Sequence, residues 1–93
     1  MPKRSIAPPA VYVPHQLLSD SPSAYSLAVY AALAALGACR TEGSELCLNQ
    51  IAAAARVGPR TVRRELRWLI HAGWLETEYT PGSANLYRLA LEL

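Results

Sequence analysis

The segment from Gly58 to Gly73 constrains the fold of this chain more than any other part of its sequence. Pro59 suits the first turn of a helix, because its φ angle is fixed and its missing amide proton is not needed there. Glycine is the residue that most often follows the end of a helix, so Gly73 marks the stop. The sequence therefore predicts a helix from Pro59 to about Ala72.

Apolar and basic residues occupy opposite faces of this predicted helix. With a turn of about 100° per residue, Leu66 and Leu69 fall within about 40° of Val62. This apolar stripe would pack against the other helices of the domain. The solvent side and its flanks would hold Arg60, Thr61, Arg63, Arg64, Arg67 and His71.

Positive charge is concentrated in one stretch of the chain. Five of the nine basic residues lie between Arg56 and Arg67, with Glu65 as the single acid among them, although the whole chain has a net charge of only +2. A basic stripe on a nearly neutral protein indicates a defined site for a polyanion. The alternative is a solvated helix face in which Glu65 pairs with neighbouring arginines.

An earlier helix is predicted between Ser21 and Gly37. Ser21 can cap it, Pro22 suits its first position, and Gly37 marks its end. It is apolar on two opposite faces, and a helix of that kind must be covered twice. One face holds Leu27, Tyr30, Ala31 and Ala34, and the other holds Val29, Leu33 and Leu36. The second face needs either the N-terminal segment or a second copy of the chain, so it is the candidate homodimer interface.

Shorter elements lie before and after that helix. Residues 11–13 can extend as a strand, and residues 14–18 can form a turn of helix. Residues 46–48 are short and apolar, which suits a brief strand. Asn49 would then cap a small second helix over about residues 50–55.

The C-terminal part of the sequence predicts a β-hairpin. Residues 74–79 and 85–91 alternate apolar and polar side chains, and Pro81-Gly82 lies in the turn between them. The predicted fold class is therefore mostly α with a small β-hairpin, in the order helix, short strand, helix, tight turn, helix, hairpin.

A length of 93 residues supports a single domain. Residues 1–10 contain three prolines and are expected to form a flexible N-terminal arm, with the domain spanning 11–93. No secretory signal is evident, and the longest apolar stretch, 28–36, is too short to cross a bilayer. The sequence thus predicts a cytoplasmic location and no membrane partner.

The remaining chemistry-bearing residues form no recognisable reactive group. Cys39 and Cys47 are the only cysteines, and neither His15 nor His71 has ligand spacing to them, so buried free thiols are expected. The chain has no nucleophile elbow, no phosphate-cradling glycine loop and no evident carboxylate pair. We expect no enzyme activity, no metal or other cofactor, and no small-molecule ligand.

The order of elements resembles the winged helix-turn-helix family over roughly residues 22–91. The resemblance rests on residues 48–52, on Val-Gly-Pro-Arg-Thr-Val-Arg-Arg-Glu-Leu at 57–66, and on Leu-Ile-His-Ala-Gly-Trp-Leu at 69–75. These segments are similar to the core of bacterial transcription regulators and to winged helices of plasmid and phage replication proteins. Residues 85–89 look like the last wing strand of the latter group. The resemblance implies a three-helix core plus a wing.

The resemblance also implies double-stranded DNA as the partner, with helix 59–72 in the major groove. Arg60 and either Arg63 or Arg64 would then read bases, while Thr61, Arg56 and Arg67 would contact phosphates. The N-terminus of the second helix would offer amides and side chains to another phosphate. The predicted DNA-binding set is Asn49, Gln50, Arg56, Pro59, Arg60, Thr61, Arg63, Arg64 and Arg67.

The predicted wing departs from the family pattern. Its tip has no Lys or Arg, and Glu76 and Glu78 place negative charge on the first wing strand. Contacts to phosphate would come from Thr80, Ser83 and Asn85. We therefore expect only a weak minor-groove contribution from this wing.

Three functions follow from these observations. The first is sequence-specific DNA binding, as a transcriptional regulator or as a plasmid or phage replication or maintenance factor. The second is a winged helix used as a protein–protein interaction module, with the arginines facing an acidic partner. The third is binding to structured RNA. Steep salt dependence and a preference for one duplex would separate the first from the second.

Overall fold

The computed structural model describes residues 11–79, 81–82 and 84–90, and the predicted arm at residues 1–10 lies outside them. The described part forms four helices and three strands. In chain order these are α1 (His15–Asp20), α2 (Ala24–Leu33), β1 (Ser44–Leu46), α3 (Leu48–Ala55), α4 (Pro59–His71), β2 (Leu75–Glu78) and β3 (Asn85–Leu89). A π-helical turn, Ala34–Ala38, continues α2. The predicted strand at residues 11–13 is wrong, because no strand forms there.

Helix α2 begins later than the sequence predicts. Its N-cap is Ser23, whose hydroxyl accepts a hydrogen bond from the backbone amide of Tyr25 at 3.2 Å. The predicted cap, Ser21, instead donates its hydroxyl to the carbonyl of Ser23 at 2.8 Å, and Pro22 precedes the helix. The predicted end is confirmed, since Gly37 has a φ of 101° and interrupts the helical backbone.

Helix α3 begins earlier than the sequence predicts. It starts at Leu48, so the N-cap is Cys47 and the predicted capping role of Asn49 is wrong. The side-chain oxygen of Gln50 accepts a hydrogen bond from the amide of Cys47 at 2.9 Å. Satisfying that amide lets the helix start directly after β1, which ends at Leu46 rather than at Leu48.

The three strands form one antiparallel sheet in the order β1-β3-β2. The predicted hairpin is confirmed, with Thr77 opposite Tyr87 in the β2–β3 pair. Strand β1 adds to the other edge of β3, where Ser44 lies opposite Tyr87. Strand β1 precedes α3 and α4 in the chain, and β2 and β3 follow them. The two helices therefore lie, in sequence, between strands of the same sheet. The chain is thus mixed α/β rather than helical with an isolated hairpin.

Helix α2 lies at the centre of the core and packs against both α3 and α4. Its two apolar faces are covered within the monomer, since Val29 and Leu33 on one face and Tyr30 on the other are fully buried. Leu17 of α1 is buried in the same hydrophobic cluster, and Leu36 is half-buried against it. Val29 and Leu33, two of the three residues predicted to form a homodimer interface, are therefore covered by the chain's own elements and inaccessible to a second copy in this fold.

The cysteines also differ from the prediction. Cys39 and Cys47 are free and exposed, although both have apolar neighbours in the sequence. Cys39 follows the break at Gly37, and Cys47 caps α3, so both lie at the ends of elements rather than inside them.

Among the helices of the described residues, none combines the length and the apolar character needed to span a membrane.

Candidate functional site

A sharp turn sets the position of α4 relative to α3. Only residues 56–58 separate the two helices. Arg56 adopts a left-handed conformation with a φ of 61°, and its amide still bonds to the carbonyl of Ala52. Gly58 is the extended N-cap of α4, and Pro59 is at the first helical turn, as the sequence predicts. This turn packs α4 against α3 while leaving the first turn of α4 exposed.

The apolar stripe of α4 is buried as predicted. Val62 and Leu69 are fully buried, and Leu66 is nearly so. The helix ends with a 2.8 Å hydrogen bond from the amide of Trp74 to the carbonyl of Leu69, which returns the chain to β2. Because this face is fixed in the core, the rotation of α4 about its axis is fixed, and so is the direction of its other face.

Four arginines lie on that other face of α4, and Arg56 lies in the turn before the helix. Arg56, Arg60, Arg63, Arg64 and Arg67 are all exposed, which confirms that these side chains point away from the hydrophobic interior. In the described part of the chain, Arg64 is the only one of the five with an acidic partner. The remaining four guanidinium groups are therefore available to a polyanion.

Two sides of α4 can be distinguished by what surrounds them. Arg63 and Arg67 line a groove of about 380 Å³ between α4 and β3, together with Leu48, Leu66, Ile70, Asn85 and Tyr87. Arg64 instead lines a smaller depression of about 270 Å³ near the N-terminus of α2, together with Pro22, Ser23, Glu65 and Trp68. The arginines of α4 thus form a ridge with a different neighbour on each side.

The other predicted contact residues take varied positions. Asn49 and Gln50 are exposed on the first turn of α3, Pro59 is exposed, and Thr61 is half-buried. The side-chain oxygen of Gln50 is engaged by the cap of α3, which leaves its amide group to donate. Asn85 is half-buried on β3. The other two predicted wing residues, Thr80 and Ser83, lie outside the described residues.

Negative charge lies on a different surface. Leu75, Tyr87 and Leu89 face the core, so the alternating residues of β2 and β3 face outward. On this outer face Glu76 forms a 2.9 Å ion pair with Arg88, which is opposite it in the register. Glu78 is exposed one pair further along β2. The exposed acids of β2 and the arginines of α4 thus lie on different surfaces of the domain.

Sequence reasoning missed the burial of Glu65. It is the one acidic residue buried in the described part, and its carboxylate lies 3.2 Å from the Nε of Arg64. A helical wheel could have predicted this burial, because Glu65 falls about 40° from Leu69, beside the apolar stripe. A carboxylate in that position is withdrawn from solvent by the packing of α4 against α2.

No group of three or more histidine, cysteine or acidic side chains within residues 11–79, 81–82 and 84–90 is arranged to hold a metal ion. Comparison of the chain with protein families, with curated proteins and with solved structures finds no match. The arginine ridge of α4 and the groove beside it are therefore the features from which a function must be inferred.

Proposed function

We propose that this chain is a winged helix-turn-helix domain that binds double-stranded DNA, with α4 lying in the major groove. The observation that supports this most is the exposed arginine ridge on a helix whose opposite face is fixed in the core. DNA has a uniform line of negative charge, and counterion release from it favours a cationic helix. The role would be that of a transcriptional regulator or of a replication or maintenance factor.

The geometry of α4 suits entry into a groove. An α-helix fits the width of the major groove, and the N-terminal half usually reaches the base edges. The first turn of α4, with Arg60, is exposed beyond the turn from α3. Arginine suits guanine because its planar fork can bond O6 and N7 together. In this arrangement Arg60 and either Arg63 or Arg64 would read bases.

Phosphate contacts would come from both sides of the ridge. Arg67 lines the groove toward β3, and Asn85 lies across that groove. Asn49 and Gln50 are exposed at the N-terminus of α3, where the positive end of the helix dipole favours an anion. The acids on the outer face of the sheet would repel DNA from that surface, which favours the α4 side as the docking face.

The test is a salt titration of duplex binding. We expect the logarithm of the affinity to fall linearly with the logarithm of salt, by about 0.9 for each phosphate neutralised. The triple variant Arg60→Ala, Arg63→Ala, Arg67→Ala should flatten that slope by up to about 2.7, if each side chain neutralises one phosphate. Between about 50 and about 200 mM salt this difference amounts to an affinity factor of about 40. Arg40→Ala is the control, since Arg40 is exposed in the loop after α2.

Two results would contradict the proposal. One is a triple variant that binds duplexes with the affinity and the salt slope of the natural chain. The other is a natural chain that has no salt-dependent affinity for any duplex. The second result, with binding to an acidic protein instead, would identify a protein-interaction module. A preference for structured RNA over every duplex would identify the RNA-binding alternative.

A further inference from the structure

Glu65 and Arg64 form an asymmetric ion pair on α4. The side chain of Glu65 is 5% exposed, whereas that of Arg64 is 64% exposed, and Glu65 Oε2 lies 3.2 Å from Arg64 Nε. The buried partner is fixed by the packing of α4, because it lies on the edge of the apolar stripe. A fixed acceptor bonded to the Nε group restricts the guanidinium to a small range of orientations.

The outer end of the Arg64 guanidinium points away from the pair. The guanidinium has five N–H donors, of which the Nε–H is the one directed at Glu65. The four N–H groups on the two terminal nitrogens are therefore left for another acceptor. Two parallel N–H groups at the outer end of the fork match the O6 and N7 atoms of guanine.

The surroundings of Glu65 strengthen this pair. Pro22, Ser23 and Trp68 line the same depression and limit the access of water to the carboxylate. Attraction between charges is stronger where water is excluded. Ser23 is also the N-cap of α2, and the positive end of a helix dipole favours a carboxylate nearby.

We propose that Glu65 is a positioning residue that holds Arg64 for reading a guanine, which makes Arg64 the specificity-determining arginine of α4. This inference rests on the DNA-binding function proposed above. Arg63 and Arg67 have no acidic partner in the described part of the chain and face the groove beside β3. Their part in binding is the neutralisation of phosphates.

The two kinds of arginine should differ in their salt dependence. The charge of Arg64 is balanced by Glu65, so the pair releases few counterions when DNA binds. The charge of Arg67 is not balanced in this way, so its contact with a phosphate releases more counterions. Arg64→Ala should therefore lower discrimination between duplexes with little change of the salt slope, and Arg67→Ala should do the reverse.

The experiment is a double-mutant cycle on base discrimination. A preferred duplex is first selected from a random pool, and each guanine in it is then replaced in turn. The ratio of affinities is measured for the natural chain, Glu65→Gln, Arg64→Ala and the double variant. Arg64→Ala should reduce discrimination at one base pair by about tenfold or more. Glu65→Gln should reduce it at the same base pair by a smaller factor, and should have no further effect on discrimination in the Arg64→Ala background.

Two further variants control for structural effects. Glu76→Gln removes a carboxylate that is paired with Arg88 on the outer face of the sheet, and it should leave discrimination unchanged. Arg64→Lys keeps the charge at an exposed position but lacks the Nε–H and the planar fork. It should lose discrimination at the same base pair, and it keeps the proposal testable if Glu65→Gln does not fold.

The possible results separate this inference from the proposed function. If Glu65→Gln weakens binding to all duplexes equally, or acts as strongly without Arg64, its role is structural and the inference is overturned. The inference is also overturned if Arg64→Lys discriminates between base pairs as well as the natural chain does. If the natural chain binds no duplex in a salt-dependent manner, the proposed function fails and this inference fails with it.

Discussion

Replacing Tyr30 by Phe should stabilise this protein. Tyr30 is 0% exposed, and its ring packs edge-to-face on Trp74 with 6.5 Å between centroids. Its hydroxyl has no hydrogen-bond partner in the described part of the chain. A buried polar group without a partner loses its hydration without compensation, at a cost of about 1–3 kcal/mol. Phenylalanine keeps the ring and its contact with Trp74 and removes only the hydroxyl.

The size of the effect can be worked out from two opposing contributions. Removing the hydroxyl recovers its desolvation free energy and leaves a small cavity. A cavity of about 20 Å³ costs roughly 0.5 kcal/mol, so the net gain in unfolding free energy should be about 0.5–2.5 kcal/mol. In a domain of this size a gain of about 1 kcal/mol raises the melting temperature by about 4–8 °C. Tyr25→Phe on the same helix is the matched control, because Tyr25 is half exposed and should show no gain.

The same substitution should change the response to alkaline pH. Burial raises the pKa of the Tyr30 hydroxyl, and the nearby Tyr12 and Cys39 add to this rise. An unfolded tyrosine has a pKa of about 10, so above that pH the unfolded state loses its proton first and the native state is penalised. This penalty is thus absent below about pH 10, and the natural chain loses stability as the pH rises toward the folded-state pKa of Tyr30. Tyr30→Phe should lose less stability over this range than the natural chain.

Urea denaturation at neutral and at alkaline pH measures both effects. A loss of about 1 kcal/mol or more in Tyr30→Phe at neutral pH would refute the reasoning, because it would mean that the hydroxyl has a partner in the folded protein. An equal alkaline loss in the natural chain and in the variant would refute the assigned rise in pKa.

The remaining expectations concern the fold. Gly43→Ala should destabilise the protein by more than about 2 kcal/mol, because φ is +78° there and a Cβ atom would lie 2.8 Å from the backbone carbonyl oxygen of Tyr87. Gly73→Ala should cost only about 1–2 kcal/mol, since φ is +89° but nothing lies within 4 Å of the added atom. If thermal melts show the same loss of stability in Gly43→Ala and in Gly73→Ala, the steric argument is contradicted. Leu69→Ala should cost about 2–5 kcal/mol by denaturant unfolding, because Leu69 is fully buried where α4 enters the core, and a loss below about 1 kcal/mol would contradict that packing.

Local signals explain which elements could be predicted from the sequence. The bounds of α4 were predicted within one residue because Pro59 and Gly73 act through their own backbone preferences. The caps at Ser21 and Asn49 were wrong because several residues in each stretch can cap a helix. Packing in the folded chain decides which residue becomes the cap. The pairing of β1 with β3 ends the strand at Leu46 and leaves Cys47 as the cap of α3.

Long-range packing explains the elements that could not be predicted. A helical wheel shows that α2 has two apolar faces, but it cannot show that the chain itself covers the face of Val29 and Leu33. The exposure of Cys39 has the same origin, since apolar neighbours in the sequence need not be neighbours in space. The exposure of the arginines was predictable because α4 is strongly amphipathic. The extent of the burial of Glu65 required the structure.

The most direct test of the central claim is to map where a duplex contacts this domain. Protein labelled with ¹⁵N in the arginine side chains and the backbone is titrated with duplex DNA, and the perturbed NMR signals are assigned. The account predicts that the changes concentrate on Arg60, Arg63, Arg64 and Arg67, with Glu76 and its neighbours on the outer sheet face unaffected. Changes centred on the sheet, or arginine signals of α4 that do not respond while the duplex binds, would contradict it.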